Sequence, residues 1–280
     1  MHNPKHEVRL FLEQEMSRGE LIELPCGQSG VFSKKSPDKE GVNQDGAALI
    51  SLSEDQAVLI VADGMGGARA GEKAASTALE SVISSVLAAT PLSEESTLRT
   101  AILNGFELAN QRVCAMGLGA GTTLVVVEVS GSVIRTYHAG DSVVLVFGRG
   151  GKIKLQTLAH APVAYAVESG MLEERAALDH DERNIVSNMI GSSDMRIDLG
   201  PPTELAPNDT VIISSDGLFD NLEITEIMEL SRKGPLDEVI DKLAHECQKR
   251  MTKPESSLPS KPDDLTFITF RPNGSNSNPG

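Results

Sequence analysis

Long apolar segments are missing from this chain of 280 residues. No run approaches the roughly 20 apolar residues of a membrane-spanning helix. The first residues, MHNPKHEVRLFLEQEMSRG, lack the continuous apolar stretch of a secretion signal. We therefore expect a soluble, cytoplasmic protein with no membrane partner.

Cysteine is scarce, and its spacing forms no recognisable motif. Cys26, Cys114 and Cys247 are odd in number, widely separated and outside any CxxC pattern. This spacing argues against a disulfide framework and against a zinc site built from thiolates. We expect all of them to be buried packing residues.

Positive charge is in short supply, with 25 lysines and arginines against 40 aspartates and glutamates, a formal net charge of −15. A surface of this sign opposes broad binding to nucleic acid or to anionic membranes. We expect no nucleic-acid partner. Bound divalent ions would cancel part of the negative charge.

The length is sufficient for one domain with a sizeable apolar core. We predict an N-terminal extension with a short helix over residues 1–27, one domain over 28–271 and a disordered tail over 272–280. The tail is too rich in Gly, Pro and Asn to fold. A monomer is expected.

Apolar periodicity separates predicted helices from predicted strands. The predicted elements are a helix at 6–17 with Val8, Phe11, Leu12 and Met16 on one face, a strand hairpin at 46–51 and 56–62, helices at 69–89 and from 93–96 to 116, a four-stranded antiparallel meander at 121–157, a strand at 210–216, a helix containing Leu236 to Cys247, and a strand at 264–270. Residues 161–200 are polar and irregular, typical either of a functional lid or of scaffolding. The whole pattern indicates an α+β fold with two antiparallel β-sheets packed as a sandwich and helices outside.

Acidic residues gather beside these strands. Asp-Gly follows the apolar runs at 58–62 and 211–215, a Gly-Asp lies within 137–147, and further acidic residues stand at 43–45 and 263–266. Asp-Gly alone is ordinary turn chemistry. Clustered carboxylates, however, repel by roughly 4 kcal/mol per close pair at an effective dielectric near 20. The cluster therefore predicts a bound metal.

The motifs that carry a family resemblance are GVNQD at 41–45, VADGMGG at 61–67, GTT at 121–123, AGDS at 139–142, SSDGLFD at 214–220 and DDLT at 263–266. In this order and spacing they resemble the metal-dependent serine/threonine protein phosphatases, the PPM or type 2C family, across about residues 28–271. The resemblance implies a β-sandwich flanked by helix pairs. It also implies hydrolysis of phosphoserine and phosphothreonine in phosphorylated protein substrates with two Mn²⁺ or Mg²⁺ ions.

The resemblance further implies a role for each acidic residue. Asp63 would bridge the two ions, with the carbonyl of Gly64 completing one of them. Asp216 and Asp263 would bind the other ion. The remaining matches are Asp45, which would act on the ions largely through water beside Gln44, and Asp141, which would help Asp216 to hold a third, weaker ion.

The chemistry of these residue types agrees with those roles. Mg²⁺ and Mn²⁺ prefer oxygen ligands and keep several waters, so a few carboxylates and one carbonyl are sufficient. Two such ions about 3.5–4 Å apart activate a shared water and stabilise the charge of a phosphoryl group, so no side-chain nucleophile is required. Glycines beside Asp63 let the backbone approach the ions.

The chain departs from the family pattern before its NQD motif. Many members have an arginine there that holds the substrate phosphate, whereas this segment reads SPDKEGVNQD. Glu40 would repel a phosphate. Lys39 could supply a point charge, but not the bidentate contact of a guanidinium. Lys39 is therefore the candidate phosphate-binding residue, and weak phosphate binding is expected.

A second departure concerns the general acid for the leaving group. Met65 follows the Asp-Gly where some relatives have histidine, and Val143 follows AGDS where arginine is frequent. His138, His160 and His180 are alternative acids. Nothing in the sequence fixes their distance from the ions, so a structural role is favoured for each.

Two other functions remain open. One is a catalytically weak or inactive scaffold of the same fold that binds a phosphoprotein partner, which loss of the metal aspartates would favour. The other is a receiver domain phosphorylated on aspartate, which also places acidic residues at strand ends. A receiver needs a parallel sheet, and the antiparallel pattern at 121–157 opposes it.

Overall fold

The computed structural model describes residues 6–66, 70–89, 95–117, 119–173, 176–177, 180–255 and 258–273. The strands are β1 Glu7–Leu12, β2 Glu20–Leu24, β3 Gly27–Lys34, β4 Gly46–Ser51, β5 Gln56–Ala62, β6 Gly64–Met65, β7 Gly121–Thr122, β8 Leu124–Ser130, β9 Val133–Ala139, β10 Val143–Phe147, β11 Ile153–Gln156, β12 Asp198–Leu199, β13 Thr203–Glu204, β14 Thr210–Ser214 and β15 Leu265–Pro272. The helices are α1 Ala70–Ala88, α2 Glu95–Ala115, α3 Pro162–Glu168, α4 Asp216–Phe219, α5 Ile224–Ser231 and α6 Leu236–Thr252.

Antiparallel pairing organises these strands into two main sheets. The first sheet has the order β1-β4-β5-β8-β9-β12, with β13 also paired to β9, and the second has the order β11-β10-β14-β15-β3-β2. A short β6-β7 pair stands apart from both. The predicted α+β class with two antiparallel sheets is confirmed.

Alternation along the strands produces the layers. On β5, Val58 and Ile60 pack against the cluster that contains α1 and α2, whereas Leu59 and Val61 face the second sheet. Successive side chains of a strand point to opposite faces, so a strand that is apolar at every position is covered on both faces. This explains why the run AVLIVA carries no polar alternation.

The second sheet repeats the same arrangement. Val144 and Val146 on β10 face the first sheet, while Leu145 and Phe147 pack with α5 and α6. The molecule therefore consists of a helix pair, two sheets and a second helix pair, in that order. The predicted sandwich with flanking helix pairs is confirmed.

The predicted helix at 6–17 is wrong, because residues Glu7–Leu12 form a strand paired with β4. Val8 and Leu12 lie against the helix-side core, while Phe11 lies in the core between the sheets. The same spacing fits an edge strand with apolar contacts on both faces. The free edge of β4 provides the backbone partners, and this tertiary pairing overrides the local helical pattern.

The predicted four-stranded meander at 121–157 is also wrong. β8 pairs with β9 in the first sheet, but β10 pairs with β11 and β14 in the second. The chain changes sheets at Gly140, whose φ of 116° favours glycine. The crossing carries Asp141 to the edge of the sandwich.

The other predicted elements are confirmed, namely the hairpin of β4 and β5, helices α1, α2 and α6, and strands β14 and β15. The cap proposed at 93–96 begins outside the described residues. Residues 274–280 of the predicted tail also lie outside them. Cys26 and Cys247 are buried as expected, but Cys114 is exposed, so its predicted burial is wrong. In the described part of the chain, no helix combines the length and the apolar character needed to cross a bilayer.

Candidate metal centre

The acidic motifs meet at one edge of the sandwich. Asp63 follows β5, and Asp45 precedes β4, which forms a hairpin with β5. Both aspartates therefore lie beyond the same end of these two strands. Asp216 follows β14 and Asp263 lies just before β15, and these strands are neighbours in the second sheet. Asp141 lies on the crossing between the sheets. Antiparallel pairing thus brings residues distant in sequence to a common edge.

A cavity of about 360 Å³ lies at this edge. Its lining residues are Lys39, Gln44, Asp63, Gly64, Met65, Gly66, Asp141, Asn184, Val186, Asp216, Lys261, Asp263 and Asp264. Asp45 lies behind it and is 2% exposed. A second cavity, partly lined by α3, shares Asp141 and Asp216 with the first, so the predicted irregular segment 161–200 borders the site.

The backbone of Asp63 is fixed by the GTT motif. Its N–H donates to Thr123 Oγ1 at 3.0 Å, and its carbonyl accepts from the Thr123 N–H at 2.9 Å and the Thr122 hydroxyl at 2.8 Å. At Gly64, a Cβ would lie 2.2 Å from the carbonyl oxygen of Gly71 in α1. Only glycine permits this approach of strand and helix.

Asp45 is held from one side only. Its Oδ2 accepts the Ser215 hydroxyl at 2.8 Å, but its buried Oδ1 has no hydrogen-bond partner. Asp141 Oδ1 is likewise buried without a partner. Unpaired carboxylate oxygens in an interior are costly unless a cation or donor reaches them. Both oxygens are therefore suited to a cation, directly or through water.

Burial and crowding raise the pKa of these carboxyl groups. Burial is the largest cause in each case, followed by repulsion from neighbouring aspartates. The pKa of Asp45 and of Asp63 rises well above the ordinary value, and that of Asp216 is also raised. The pKa of Asp141 rises to about 8 and that of Asp263 to about 6. A divalent cation would favour the ionised forms again.

Asp264 braces the NQD segment. Its Oδ1 accepts the Ser36 N–H at 2.8 Å, and its Oδ2 accepts the Gln44 N–H at 2.8 Å and the Lys39 ammonium at 2.5 Å. Lys39 also donates to Gln44 Oε1 at 2.7 Å. Lys39 thus lines the cavity, but Asp264 neutralises much of its charge.

Lys261 is a second lysine in the cavity, and the sequence motifs did not indicate it. Its Nζ lies 2.6 Å from Asp216, 2.7 Å from Asp220 and 3.1 Å from Asp263. Burial alone would lower the pKa of Lys261, but attraction to these three carboxylates raises it instead. Only its place two residues before Asp263 could have pointed to this role.

The histidines considered as general acids do not line the cavity. His138 and His160 are stacked and buried behind Gly140, with ring centroids 4.5 Å apart. His180 accepts the Glu182 N–H at 3.1 Å within a local turn. In the described residues around the cavity, therefore, no histidine faces the carboxylates.

The donor set fits hard divalent cations. Seven aspartates lie in or behind the cavity: Asp45, Asp63, Asp141, Asp216, Asp220, Asp263 and Asp264. Two lysines offset two of these negative charges. Mg²⁺ and Mn²⁺ favour such oxygen ligands, whereas soft thiophilic ions do not. Two divalent ions would offset most of the remaining charge.

The chain is similar to known proteins in both sequence and fold. The protein phosphatase 2C family model matches residues 37–255. A protein phosphatase 2C-type protein of Streptococcus pyogenes is 32% identical over 207 residues, 71% of this chain and 83% of the relative. The solved serine/threonine phosphatase of S. agalactiae superposes with a TM-score of 0.75 at 28% identity, covering 87% of this chain and 98% of that one. The catalytic domain of the phosphatase PstP, described in complex with two manganese ions, shares the fold with a TM-score of 0.69 at 21% identity.

Proposed function

We propose a reaction from the premise that the chain belongs to the protein phosphatase 2C family of serine/threonine protein phosphatases. The protein removes phosphate from phosphoserine and phosphothreonine residues of proteins, and it uses two divalent ions, Mn²⁺ or Mg²⁺. The observation that carries this proposal is the convergence of aspartates from both sheets on one cavity, where two carboxylate oxygens are buried and unpartnered.

The ligands divide between two ions. Asp63 would bind both of them, and its backbone is held in place by Thr122 and Thr123. The Gly64 carbonyl would complete the first ion. Asp216 and Asp263 would hold the second.

Two further aspartates would act from the periphery. Asp45 is oriented by the Ser215 hydroxyl, and its buried, unpartnered oxygen would act on the ions through water. Asp141, with Asp216, would hold a third and weaker ion. Both contacts are consistent with carboxylates that are buried but lack a full set of donors.

The bound ions supply Lewis acidity that activates a water and offsets phosphoryl charge. The chain contributes the positions of its ligands. Thr123 also bonds the Ser142 hydroxyl at 2.6 Å, so the Asp63 and Asp141 segments are linked to one another. Lys39 uses two of its three N–H groups in hydrogen bonds to Gln44 and Asp264, so the third is available to a phosphate oxygen.

Hydrolysis of a phosphothreonine peptide, with Mn²⁺ and with chelator, tests the proposal. Asp63→Asn and Asp216→Asn should each reduce turnover by orders of magnitude, because the lost charge weakens water activation and phosphoryl stabilisation together. Asp55→Asn is the control, since Asp55 is exposed on the β4-β5 turn at the opposite end of that hairpin. Near-normal activity of either site variant in chelator would refute the proposal.

One observation favours the alternative of an inactive scaffold that binds a phosphoprotein. Lys261 pairs with Asp216 and Asp263, the two carboxylates assigned to the second ion. If this pairing persisted in solution at millimolar Mn²⁺, the wild-type protein would bind the phosphopeptide without releasing phosphate. The same assay, combined with a peptide-binding measurement, separates the two functions.

A further inference from the structure

Lys261 lies in the segment between α6 and β15, and a single buried amide fixes its backbone. Asn221 Oδ1 accepts the Lys261 N–H at 2.8 Å, and Asn221 Nδ2 donates to the Lys261 carbonyl at 2.8 Å. Asn221 is fully buried and also donates to the Gly217 carbonyl at 2.9 Å. The lysine is therefore built into the site beside α4 and is not a surface side chain that happens to reach it.

The ammonium group of Lys261 has no donor to spare. It carries three N–H bonds, and Asp216, Asp220 and Asp263 each lie within 3.1 Å of Nζ. Its side chain is 13% exposed. A phosphate contact would require it to give up one of these carboxylates, so its geometry favours a role toward the carboxylates and not toward the substrate.

An ammonium and a divalent ion that share the same carboxylates repel each other and divide the same negative charge. A Mg²⁺ ligand oxygen lies about 2.0–2.1 Å from the ion, and Lys261 Nζ lies 2.6 Å from Asp216 Oδ2 and 3.1 Å from Asp263 Oδ2. An ion on these oxygens would lie against the ammonium, and two cations that close repel strongly in a partly buried site.

We infer that Lys261 is a tethered cation that competes with the second divalent ion for Asp216 and Asp263. The inference rests on the proposed function only for the identity of those two ligands. The ammonium repels an ion that binds these carboxylates, so the chain itself weakens divalent metal binding at this position. The first ion, at Asp63 and Gly64, does not meet this competition.

Calorimetric titration of the full chain with Mn²⁺ tests the inference without reference to turnover. Lys261→Met removes the charge and keeps the backbone contacts to Asn221. We expect it to bind Mn²⁺ about tenfold or more tightly at one site, corresponding to at least one decade in Kd. Lys261→Arg keeps a cation and should not show this gain.

Lys154→Met is the matched control. Lys154 also pairs with a buried carboxylate, Asp209, at 2.5 Å, but outside the metal cavity. Its removal should leave Mn²⁺ affinity unchanged.

Thermal unfolding provides a second measurement on the same variants. In chelator, Lys261→Met should melt below wild type, because the carboxylates lose their cation, and saturating Mn²⁺ should remove the deficit. Lys154→Met should lower the melting temperature equally in both conditions. If Lys261→Met proves unfolded in chelator, Lys261→Gln, which retains a donor, replaces it in the titration.

Unchanged or weaker Mn²⁺ binding by the folded Lys261→Met or Lys261→Gln protein would overturn the inference. If that result came with a raised KM for the phosphopeptide, Lys261 would be a phosphate contact instead. Tighter Mn²⁺ binding in a protein without phosphatase activity would support the inference and contradict the proposed function, so the two failures are distinguishable.

Discussion

Gly140 donates its backbone N–H to Nδ1 of His160 at 3.1 Å, on the chain crossing that positions Asp141. Because Nδ1 accepts this bond, the proton of the neutral ring is assigned to Nε2, which lies 3.0 Å from Asp198 Oδ2. His138, His160 and Asp198 have ligand atoms within 4.8 Å of one another. A metal at Nε2 would require the proton to move to Nδ1, against the Gly140 N–H. The arrangement therefore holds the crossing in place.

His160→Leu should destabilise the fold and disturb the site. The substitution leaves the Gly140 N–H and the Asn188 amide without their shared acceptor. A buried donor that loses its partner costs about 1–3 kcal/mol, so urea unfolding should show a loss of that order. Asp198→Asn is the control, because that carboxylate is half-exposed and its loss should cost less. Equal stability of His160→Leu and wild type would contradict this role.

Asp141→Ala tests the peripheral position of that aspartate. We expect the variant to retain two tightly bound ions while its turnover on phosphopeptides falls, since Asp141 is assigned to the third, weaker ion. Calorimetry with Mn²⁺ counts the ions, and steady-state kinetics measures turnover. Loss of a tight ion would show that Asp141 belongs to the central pair.

Protonation of His138 should destabilise the protein at mildly acid pH. Burial is the largest influence on the pKa of His138 and lowers it. The hydrogen bond to the Leu158 carbonyl opposes burial, the facing His160 ring lowers the pKa further, and Asp198 opposes both most weakly. The unfolded chain takes up this proton below pH about 6.5, whereas the folded chain does so only at lower pH. Stability therefore falls as pH drops below that value, at most about 1.4 kcal/mol per pH unit for one proton.

The contribution of His138 is isolated by comparison with His138→Gln. Glutamine can still donate to the Leu158 carbonyl, which His138 Nε2 meets at 3.0 Å, but it does not titrate. Urea unfolding of both proteins at several pH values between 5 and 7.5 should show a smaller acid loss for the variant. Since the site carboxylates are common to both proteins, their titration cancels. Parallel pH curves would rule out this assignment.

Gly64→Ala should separate the strand from the helix that follows it. The added Cβ would lie 2.2 Å from the Gly71 carbonyl oxygen and 2.7 Å from that of Gln44, and neither backbone atom can yield cheaply. We expect weaker Mn²⁺ binding and a lower melting temperature. Gly150→Ala is the control, since nothing lies within 4 Å of its added Cβ. Similar behaviour of the two variants would show that the contact at Gly64 is not limiting.

Sequence patterns predicted the parts of this fold that depend on local periodicity. The β4-β5 hairpin and α6 follow from spacing within 20 residues or so. The Glu7–Leu12 strand did not, because its partner is β4, and its apolar spacing fits a helix equally well. The change of sheets at Gly140 depends on β14, which begins 70 residues further along the chain.

The same distinction between local and long-range features applies to the residues of the site. The aspartates could be found because each follows or precedes an apolar run. Lys261 could not, since it lies in a proline-containing loop and reaches the carboxylates only through the clamp of Asn221, 40 residues earlier. The bracing role of Asp264 likewise depends on Ser36 and Gln44, more than 200 residues away. Long-range hydrogen bonds leave no periodic signal.

Lys39 and Glu40 should set the affinity for the substrate phosphate. Lys39 already bonds Asp264 and Gln44, so it offers a phosphate one N–H and a partly neutralised charge. Such a contact is weaker than a bidentate guanidinium contact and is readily screened by salt. The wild-type enzyme should therefore show a high KM that rises with ionic strength, with turnover at saturation normal for a two-metal site.

Substitutions in this segment should move KM in opposite directions. Lys39→Ala should raise KM severalfold and Glu40→Arg should lower it, each with little change in kcat, because the contact is equal in ground and transition states. Lys35→Ala is the matched control, since Lys35 is in the same loop but bonds the Gly41 carbonyl outside the cavity. Steady-state kinetics at low and high salt distinguishes the loss of a charge contact, which salt screens, from a change in the shape of this segment. An unchanged KM in both variants would mean that this segment does not contact the phosphate, and a basic residue elsewhere on the cavity rim would have to bind it.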